Sequence, residues 1–426
     1  MTVPKSLRPR ATLAVRNAVL ATCDRGPSDA GLVPGGAVAV EDRRIAWVGR
    51  DRDLEGAVDL EGATVLDARG GLVTPGLVDA HTHLVFAGER AGEFALRCSG
   101  KSYLDVALSG GGIAVTTRST QAASDGALFD AAVARARRLL AQGVTTVEVK
   151  SGYGLTADAE LRLLRIIHEL GHALWAELTV VPTLLVHAVP PDRSGDRAGF
   201  VREVCEQLVP LVARERLAAS CDVFAEEGAL GLEESRAILL AAKARGLVPR
   251  VHADQLTAGG GAQLAAETGC ASADHLEEID DAGIEAMARA GVVAGLLPLS
   301  TLFLGSERYA PARRLLQAGV PLAIASNLNP GSAMSENVGL VLSLGCLKLR
   351  LSPAEALVAF TAGGARSIRR GDLGRLSPGC EADLVLWGCS SVEHLAWHMA
   401  VNHAVTVVKR GRVVHEARPG AAVDCR

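Results

Sequence analysis

The sequence predicts an α/β fold: a (β/α)8 barrel of the TIM type, joined to a small composite β-sandwich domain formed by both chain ends. Three observations predict it. Short β-rich segments with turn residues occur near both ends of the chain and not between them. In the middle, eight apolar runs of strand length alternate with Ala/Leu/Glu/Arg-rich stretches of helical period. Polar residues follow nearly every predicted strand, at the end where such barrels carry their chemistry.

The two chain ends are predicted to form the β domain together. Between residue 11 and about residue 68, the runs TLAVRNAVLAT and GGAVAVEDRRIAWVGR have strand character and are joined by turns. Similar segments, EADLVLWGCSS and HAVTVVKRGRVVHEARPG, occur near the other end. We therefore assign residues 1–70 and 376–426 to the β domain and residues 71–375 to the barrel.

The predicted barrel strands follow one another along the chain. In order they are LVDAHTHL, TTVEVKSG, ELTVVPTLLVHA, CDVFAEEG, VPRVHADQL, CASADHLEEI, GVVAGLLPLS and PLAIASNLNPG. Their apolar runs are those of parallel strands buried on both faces. An open doubly wound sheet is the alternative, and it would need a Gly-rich phosphate loop after an early strand. Gly110–Gly112 follows a helix-like stretch and Gly259–Gly261 lacks a following Lys-Ser/Thr, so the barrel is favoured.

Composition argues against several functional classes. The formal net charge is -4 with both signs interspersed, and aromatic residues make up 3%, which disfavours nucleic acid or an anionic membrane as partner. No apolar stretch approaches the roughly 20 residues needed to cross a bilayer. The nine cysteines form no C-x-x-C pair, as expected of reduced thiols in the cytoplasm. These features predict a cytoplasmic protein that acts on a small molecule.

Histidines gather at the predicted strand ends. His81 and His83 are separated by one residue, so on a strand both side chains point to the same face and can reach one metal ion. His252, after the fifth strand, supplies a third nitrogen, and His275, after the sixth, is expected near the water or the substrate. Three imidazoles and a water around one divalent ion form a hydrolytic arrangement, because the ion lowers the pKa of the water to about 7.

The remaining histidines divide by position. His187 also lies at a strand end, so five of the eleven histidines are found there. A purely structural, hydrogen-bonded pair at His81 and His83 is the alternative that this concentration disfavours. Six histidines in helical or β-domain segments are interpreted as surface or packing residues: His168, His172, His394, His398, His403 and His415.

Longer motifs resemble a known family. TPGLVDAHTHL and GDLGRLSPGCEADLVLW resemble the amidohydrolase superfamily. More specifically, HTHLVFAGERAGEF, GKSYLDVALSGGGI, TTVEVKSGYGL, HADQL, SADHLE and NPGS resemble, in this order, the imidazolonepropionase family over nearly the whole chain. The resemblance implies a homodimeric enzyme of histidine degradation with one zinc or iron ion per subunit. Its implied reaction is hydrolysis of 4-imidazolone-5-propanoate to N-formimidoyl-L-glutamate.

The resemblance also implies roles for individual residues. The family's metal ligands fall on His81, His83, His252 and Asn327. Its substrate contacts fall on Arg90, Tyr153, His187, Gln255, Asn329, Gly331 and Ser332. An arginine fork and a phenol suit a propanoate tail, and the backbone amides of the NPGS turn are expected to hold a carboxylate in a nest. A surface ion pair and a packed ring are the alternatives for Arg90 and Tyr153.

Two positions depart from the family pattern. Asn327 replaces an aspartate that ligates the ion and accepts a proton, and an amide oxygen can coordinate but cannot accept that proton. Gln255 replaces a glutamate found in some members. His275 is then the best remaining proton acceptor, and the catalytic candidates are His275, Gln255 and Asn327. Alternatives are an impaired or non-catalytic paralogue that binds a related imidazole carboxylic acid, or another cyclic amide hydrolase or deaminase.

Other acidic and basic residues at strand ends are less decisive. Glu148 and Lys150 are interpreted as an internal ion pair rather than as catalytic groups. Lys150 is not placed like the modified lysine that bridges two metals in some superfamily members, which favours a single ion. Glu226 and Glu227 either stabilise a neighbouring imidazole or face solvent.

Overall fold

A computed structural model describes residues 8–100 and 111–417. Five strands precede the barrel and belong to the β domain: β1 (Leu13–Ala21), β2 (Leu32–Glu41), β3 (Arg44–Arg50), β4 (Thr64–Asp67) and β5 (Leu72–Pro75). The motif GKSYLDVALSGGGI lies largely outside the described residues, because residues 101–110 are not part of them.

Eight parallel strands form the barrel, and each predicted run supplies one of them. They are β6 (Leu77–Asp79), β7 (Val144–Lys150), β8 (Thr179–Val186), β9 (Ser220–Ala225), β10 (Val248–Ala253), β11 (Ser272–His275), β12 (Val293–Leu296) and β13 (Leu322–Ile324). Neighbours in sequence are neighbours in the sheet. A parallel bridge between Thr82 and Leu328, just beyond the first and last strands, brings the two edges together. The predicted fold class is confirmed.

Three strands after the barrel complete the β domain: β14 (Leu384–Trp387), β15 (Ala404–Lys409) and β16 (Arg412–Glu416). The strand order is β16-β15-β14-β5-β1-β2-β3, with β4 paired to β1. Antiparallel pairing of β14 with β5 joins the two chain ends, as the sequence predicts. β5 follows residue 70 and still pairs in this sheet, so the first barrel strand is β6. The domain boundaries at residues 70 and 375 stay a prediction.

Helices pack around the strands, and their starts follow local sequence. The helices Asp125–Leu140 and Ala157–Ala173 begin after Ser124 and Thr156, whose hydroxyls accept backbone N–H bonds that the helix cannot satisfy. In the part of the chain that the structure describes, the α-helices between β3 and β9 are Asp51–Ala57, Ala91–Cys98, Ile113–Ala122, Asp125–Leu140, Ala157–Ala173, Arg197–Glu203 and Val209–Glu215. Those after β9 are Leu232–Ala244, Gly261–Thr268, Asp281–Ala290, Pro298–Phe303, Ala312–Gln317, Val338–Leu347, Pro353–Val358, Gly364–Ser367 and Val392–Trp397.

Three other helical segments lie within the described residues, next to these helices. Pro191–Asp196 is a 3-10 helix, and Val204–Leu208 and Ala359–Gly363 are π-helical turns. Within residues 8–100 and 111–417, no helix combines the length and apolar character needed to cross a membrane.

Candidate metal centre and substrate cavity

Three histidines converge at the mouth of the barrel. His81 and His83 follow β6, and His252 lies near the end of β10. One nitrogen from each ring lies within 4.8 Å of the others, and all three side chains are buried. Their ring centroids are 4.5 to 5.5 Å apart. The structure therefore brings together the three imidazoles that the sequence proposes as metal ligands.

Two buried aspartates orient these rings. The Nδ1 atom of His81 lies 2.7 Å from Oδ2 of Asp274, and Nδ1 of His252 lies 3.1 Å from Oδ1 of Asp222. A carboxylate at Nδ1 holds the proton there and leaves Nε2 with a lone pair. The Nε2 atoms of His81 and His252 are buried and have no hydrogen-bond partner. Both rings thus present a nitrogen suited to bind a cation.

A network of buried charges lies beneath the rings. The Nζ atom of Lys150 lies 2.6 Å from Asp222 and 2.9 Å from Glu148, so the predicted Glu148–Lys150 ion pair is confirmed. Arg250 pairs with Asp274 at 3.0 Å. Burial alone raises the pKa of Asp222 and Asp274, but the adjacent cations outweigh it and hold both pKa values below the usual range. The carboxylates therefore stay ionised at neutral pH.

Burial keeps the imidazoles neutral. It lowers the pKa of His81 and His83 well below the ordinary value, and the charge of Lys150 lowers both further. Burial also lowers the pKa of His252, and it lowers that of His187 to about 3. Neutral imidazole is the form that coordinates metal ions, so the rings need not lose protons to bind one at neutral pH.

Asn327 adds an oxygen to the same region. It follows β13 in a left-handed conformation, with φ of 53°, and its backbone N–H donates to the His81 carbonyl at 3.0 Å. Its Oδ1 atom is buried and has no hydrogen-bond partner. The orphaned imidazole nitrogens and this amide oxygen form a donor set that fits one divalent metal ion.

A cavity of about 300 Å³ opens above the histidines. Each of the substrate contacts predicted from the sequence lines it, as do His83, His252, His275 and Asn327. The predicted contacts are Arg90, Tyr153, His187, Gln255, Asn329, Gly331 and Ser332. Lining residues that sequence reasoning missed are Ile113, Phe224, Leu256, Glu277, Thr301, Leu304 and Ser306.

His275 has an unusual backbone at the end of β11. Its φ is 85° and that of Leu276 is 71°, a costly conformation for two consecutive non-glycine residues. The ring lies 5.5 Å from that of His252, and Nδ1 lies 3.6 Å from a carboxylate oxygen of Glu277. Thr301 donates a hydrogen bond to the other Glu277 oxygen at 2.8 Å. This conformation places the His275 ring beside the candidate metal ligands.

Arg90 lies at the cavity wall in a buried ion pair. Its guanidinium donates to Glu93 at 2.9 and 2.6 Å, and its side chain is 6% exposed. Gly331 makes room for it, because a Cβ at residue 331 would lie 2.0 Å from Nη1 of Arg90. Among the described residues that line the cavity, Arg90 alone carries a permanent positive charge.

The NPGS turn corrects one expectation. Oδ1 of Asn329 accepts the backbone N–H groups of Gly331 and Ser332, both at 2.8 Å. The expected carboxylate nest at these amides is therefore wrong for this conformation, since the asparagine side chain already occupies it. Asn and Asp side chains commonly form such turns with their own backbone.

Glu226 and Glu227 also have defined places. Glu226 is buried and accepts the backbone N–H of Leu256 at 2.9 Å, so it holds the loop that carries Gln255. Glu227 is exposed. The two expected alternatives apply only in part: Glu227 faces solvent, and Glu226 binds a loop rather than an imidazole.

The six histidines interpreted as surface or packing residues do not line the cavity. His168 and His172 lie one helical turn apart, with their Nε2 atoms 3.0 Å from each other. His394, His398 and His403 lie near one another beside the β domain.

Sequence comparison decides the family. The Amidohydrolase family model matches residues 107–415. An imidazolonepropionase of Anaeromyxobacter dehalogenans is 76% identical over 419 residues, covering 98% of this chain and 100% of the relative. The chain belongs to the imidazolonepropionase family. Another imidazolonepropionase, from Myxococcus xanthus, is 51% identical over 391 residues, covering 91% and 92% of the two chains. As a member of this family, the chain is a metal-dependent hydrolase that acts on a cyclic amide.

Solved structures of similar shape agree in fold. An adenosine deaminase from Xanthomonas campestris with bound zinc has a TM-score of 0.67 at 19% identity, covering 95% of this chain and 93% of that one. A triazine hydrolase variant has a TM-score of 0.72 at 21% identity, covering 95% and 94%. At such identities these likenesses show the fold alone, and they do not favour deamination over the ring hydrolysis of the family.

Proposed function

We propose that this chain hydrolyses 4-imidazolone-5-propanoate to N-formimidoyl-L-glutamate, a step of histidine degradation. The observation that carries the proposal is the content of one cavity: neutral imidazoles that fit a metal ion, and one buried guanidinium at its wall. Hydrolysis of the ring needs the metal-binding imidazoles, and binding of the propanoate tail needs the guanidinium. The relatives at 76% and 51% identity carry the corresponding enzyme name, which supports the same substrate here.

His81, His83 and His252 would hold one zinc or iron ion, with the amide oxygen of Asn327 as a weaker fourth donor. Such an ion, when bound, supplies Lewis-acid activation of the water and of the ring carbonyl. Neutral imidazoles suit either metal, so the choice between zinc and iron rests on the family resemblance and on metal availability. Asp222 and Asp274 would keep the ligand rings oriented.

The chemistry requires one water and a proton transfer. The water oxygen adds to the ring carbonyl carbon, the carbon–nitrogen bond of the amide breaks, and the departing nitrogen takes up a proton. His275 would accept the proton from water, because Asn327 has no basic atom and Gln255 is neutral. Gln255 would donate its amide N–H to the substrate ring.

The propanoate tail would bind at the wall formed by Arg90 and Tyr153. The Nε and Nη2 atoms of Arg90 donate to Glu93, which holds the guanidinium in place, so Nη1 is the atom that would donate to the carboxylate. His187, Asn329 and Ser332 would complete the polar contacts. A carboxylate at this wall would place the ring towards the histidines in the same cavity.

Hydrolysis of 4-imidazolone-5-propanoate by the metal-loaded chain tests the proposal. We expect loss of substrate and formation of N-formimidoyl-L-glutamate, detected by mass spectrometry, and much weaker turnover of an imidazolone that lacks the tail. Saturable binding without product would instead favour the non-catalytic alternative. Equal turnover of the tail-less ring would favour another cyclic amide hydrolase.

We further propose a cytoplasmic homodimer. The dimer is implied by the family resemblance, and sedimentation of the purified chain tests it. All eight cysteines within the described residues are free thiols, as expected in a reducing compartment.

A further inference from the structure

The loop that carries Tyr153 is folded tightly between a strand and a helix. It connects β7 to the helix Ala157–Ala173. Gly152 has a φ of 102°, and a Cβ there would lie 2.6 Å from the Leu185 side chain. Gly154 is equally confined, since a Cβ would lie 2.6 Å from the backbone of Ala159 and Glu160. The loop backbone therefore has one well-defined path.

A buried carboxylate binds this loop at three points. The Oε2 atom of Glu160 accepts the N–H of Gly152 at 2.6 Å, and Oε1 accepts those of Gly154 and Leu155 at 2.8 and 2.7 Å. The Glu160 side chain belongs to the first turns of the following helix and is 3% exposed. Its three contacts span both sides of Tyr153. They fix the backbone around that residue.

Among the described residues, no cation compensates the burial of Glu160. Within residues 8–100 and 111–417, no lysine, arginine or histidine forms an ion pair with it. A buried acid without an ion pair is costly unless hydrogen bonds satisfy its oxygens. The loop amides satisfy them, so the carboxylate and the loop depend on each other.

We propose that Glu160 is a positioning residue for the substrate, acting through Tyr153. Its three hydrogen bonds keep the Tyr153 ring at the cavity, 5.9 Å from the ring of His83 and 6.0 Å from that of His187. The inference rests on the proposed function in one respect, namely that Tyr153 contacts the substrate. Glu160 itself does not line the cavity.

Other contacts keep the loop attached when Glu160 is changed. Gln121 donates to the Gly154 carbonyl at 2.8 Å, and the Ser151 hydroxyl, which also hydrogen-bonds the Glu160 side chain, accepts the N–H of Leu185 at 3.1 Å. Replacing Glu160 by glutamine keeps the size of the side chain and turns an acceptor oxygen into an NH₂ donor that faces backbone N–H groups. We therefore expect the loop to shift while the barrel stays folded.

The first test is kinetic and uses the metal-loaded full chain. We expect Glu160→Gln to raise KM for 4-imidazolone-5-propanoate by about tenfold, the effect of losing one buried hydrogen bond, with kcat changed by less than about threefold. Glu355→Gln is the matched control. Glu355 is another buried carboxylate, 8% exposed, which accepts the N–H of Ser352 at 2.7 Å, pairs with Arg313 at 2.6 Å and does not line the cavity.

The second variant separates positioning from stability. If Glu160 acts through Tyr153, Tyr153→Phe should add little further loss in the Glu160→Gln background, because the two changes affect one contact. Independent, multiplying effects would overturn the proposal. So would a KM in Glu160→Gln no higher than that in Glu355→Gln.

Hydrogen exchange tests the clamp, meaning the three hydrogen bonds by which Glu160 holds the loop. This measurement does not depend on enzymatic activity. We expect peptides that span residues 151–156 to exchange faster in Glu160→Gln than in the unmodified chain, while Glu355→Gln leaves them unchanged. Unchanged exchange in Glu160→Gln contradicts the clamp whatever the kinetics show. If the unmodified chain fails to hydrolyse the substrate, the proposed function fails, and faster exchange would still support the clamp.

Discussion

Two buried lysines in this molecule have similar partners and different neighbours. At the barrel mouth, Lys150 lies 2.6 Å from Asp222 and 2.9 Å from Glu148. In the β domain, Lys409 lies 2.6 Å from Asp383 and 3.7 Å from Glu381. Both ammonium groups are fully buried.

The difference lies in what else the carboxylates bind. Asp222 binds the imidazole of His252, whereas Asp383 accepts the backbone N–H of Arg410 at 3.0 Å. The same local charge pattern thus orients a candidate metal ligand in one region and fixes a strand end in the other. A buried ion pair by itself is therefore weak evidence for a catalytic role. The further group that the aspartate binds, an imidazole or a backbone N–H, indicates which role the pair has.

The largest expected effect comes from restoring a carboxylate at the mouth. Asn327→Asp introduces the acid that the family pattern has, next to imidazoles that Asp222 and Asp274 already orient. We expect kcat to rise by about 10²-fold or more, the usual contribution of a positioned general base. Steady-state hydrolysis at equal metal content measures it. An unchanged kcat would show that His275 already supplies a fully effective base and that a carboxylate at residue 327 adds nothing to it.

Neutralising one aspartate beside each buried lysine tests whether the two ion pairs have different roles. Asp222→Asn should weaken metal binding by about 10-fold to 100-fold, because His252 loses the partner that orients it. Metal titration of the purified variant measures the change. Full metal affinity in Asp222→Asn would mean that the buried charges of Glu148, Lys150 and Asp222 serve stability alone.

Asp383→Asn is the counterpart in the β domain. It leaves Lys409 buried with one more distant carboxylate, so we expect a loss of about 3–5 kcal/mol in the free energy of unfolding. Metal content and kcat of the folded protein should stay unchanged, since no imidazole contacts Asp383. Denaturant unfolding measures the first quantity, and an accompanying loss of metal would erase the contrast between the two lysines.

Gly331→Ala should act at the cavity wall alone. The added Cβ would lie 2.0 Å from Nη1 of Arg90, so the guanidinium would have to move away. We expect KM for the propanoate substrate to rise by about tenfold, the cost of a weakened charge-assisted hydrogen bond, while a tail-less ring is affected little. The ratio of the two kcat/KM values measures the effect. An equal loss for both substrates would place the damage outside tail recognition.

The smallest effect belongs to a half-buried ion pair between Arg370 and Asp372. Hydrogen bonding to Arg370 lowers the pKa of Asp372 to about 2. Because the folded pKa lies below the unfolded value, near 4, the pair stabilises the fold above about pH 4 and loses this effect as the pH falls towards 2. Solvent screening limits it to less than about 1 kcal/mol. In Asp372→Asn, the free energy of unfolding should therefore depend slightly less on pH between about 4 and 2. A larger change would contradict the solvent screening of this half-buried pair.

Much of the fold could be predicted from the sequence. Each barrel strand has a continuous apolar run, and His81, His83 and His252 stand at strand ends, where parallel strands bring side chains together. The bridge between Thr82 and Leu328 could not be predicted, since pairing between residues so far apart depends on the closed geometry.

The partners of the histidines were harder to find. Asp222 and Asp274 are single charges within apolar strands, a signal visible in CDVF and SADH, but their imidazole partners lie 30 and 193 residues away. Glu160 resembles a solvent-facing acid at the start of a helix, and only the returning loop makes it a buried acceptor. The nest at the NPGS turn was wrong because Asn329 competes for its own backbone.

X-ray absorption spectroscopy of the zinc-loaded chain reports directly on the ligands of the proposed metal centre. We expect one ion per chain with three imidazole nitrogens at about 2.0–2.1 Å. A spectrum with fewer than two imidazole ligands, or with sulfur in the coordination shell, would contradict a metal centre built from His81, His83 and His252.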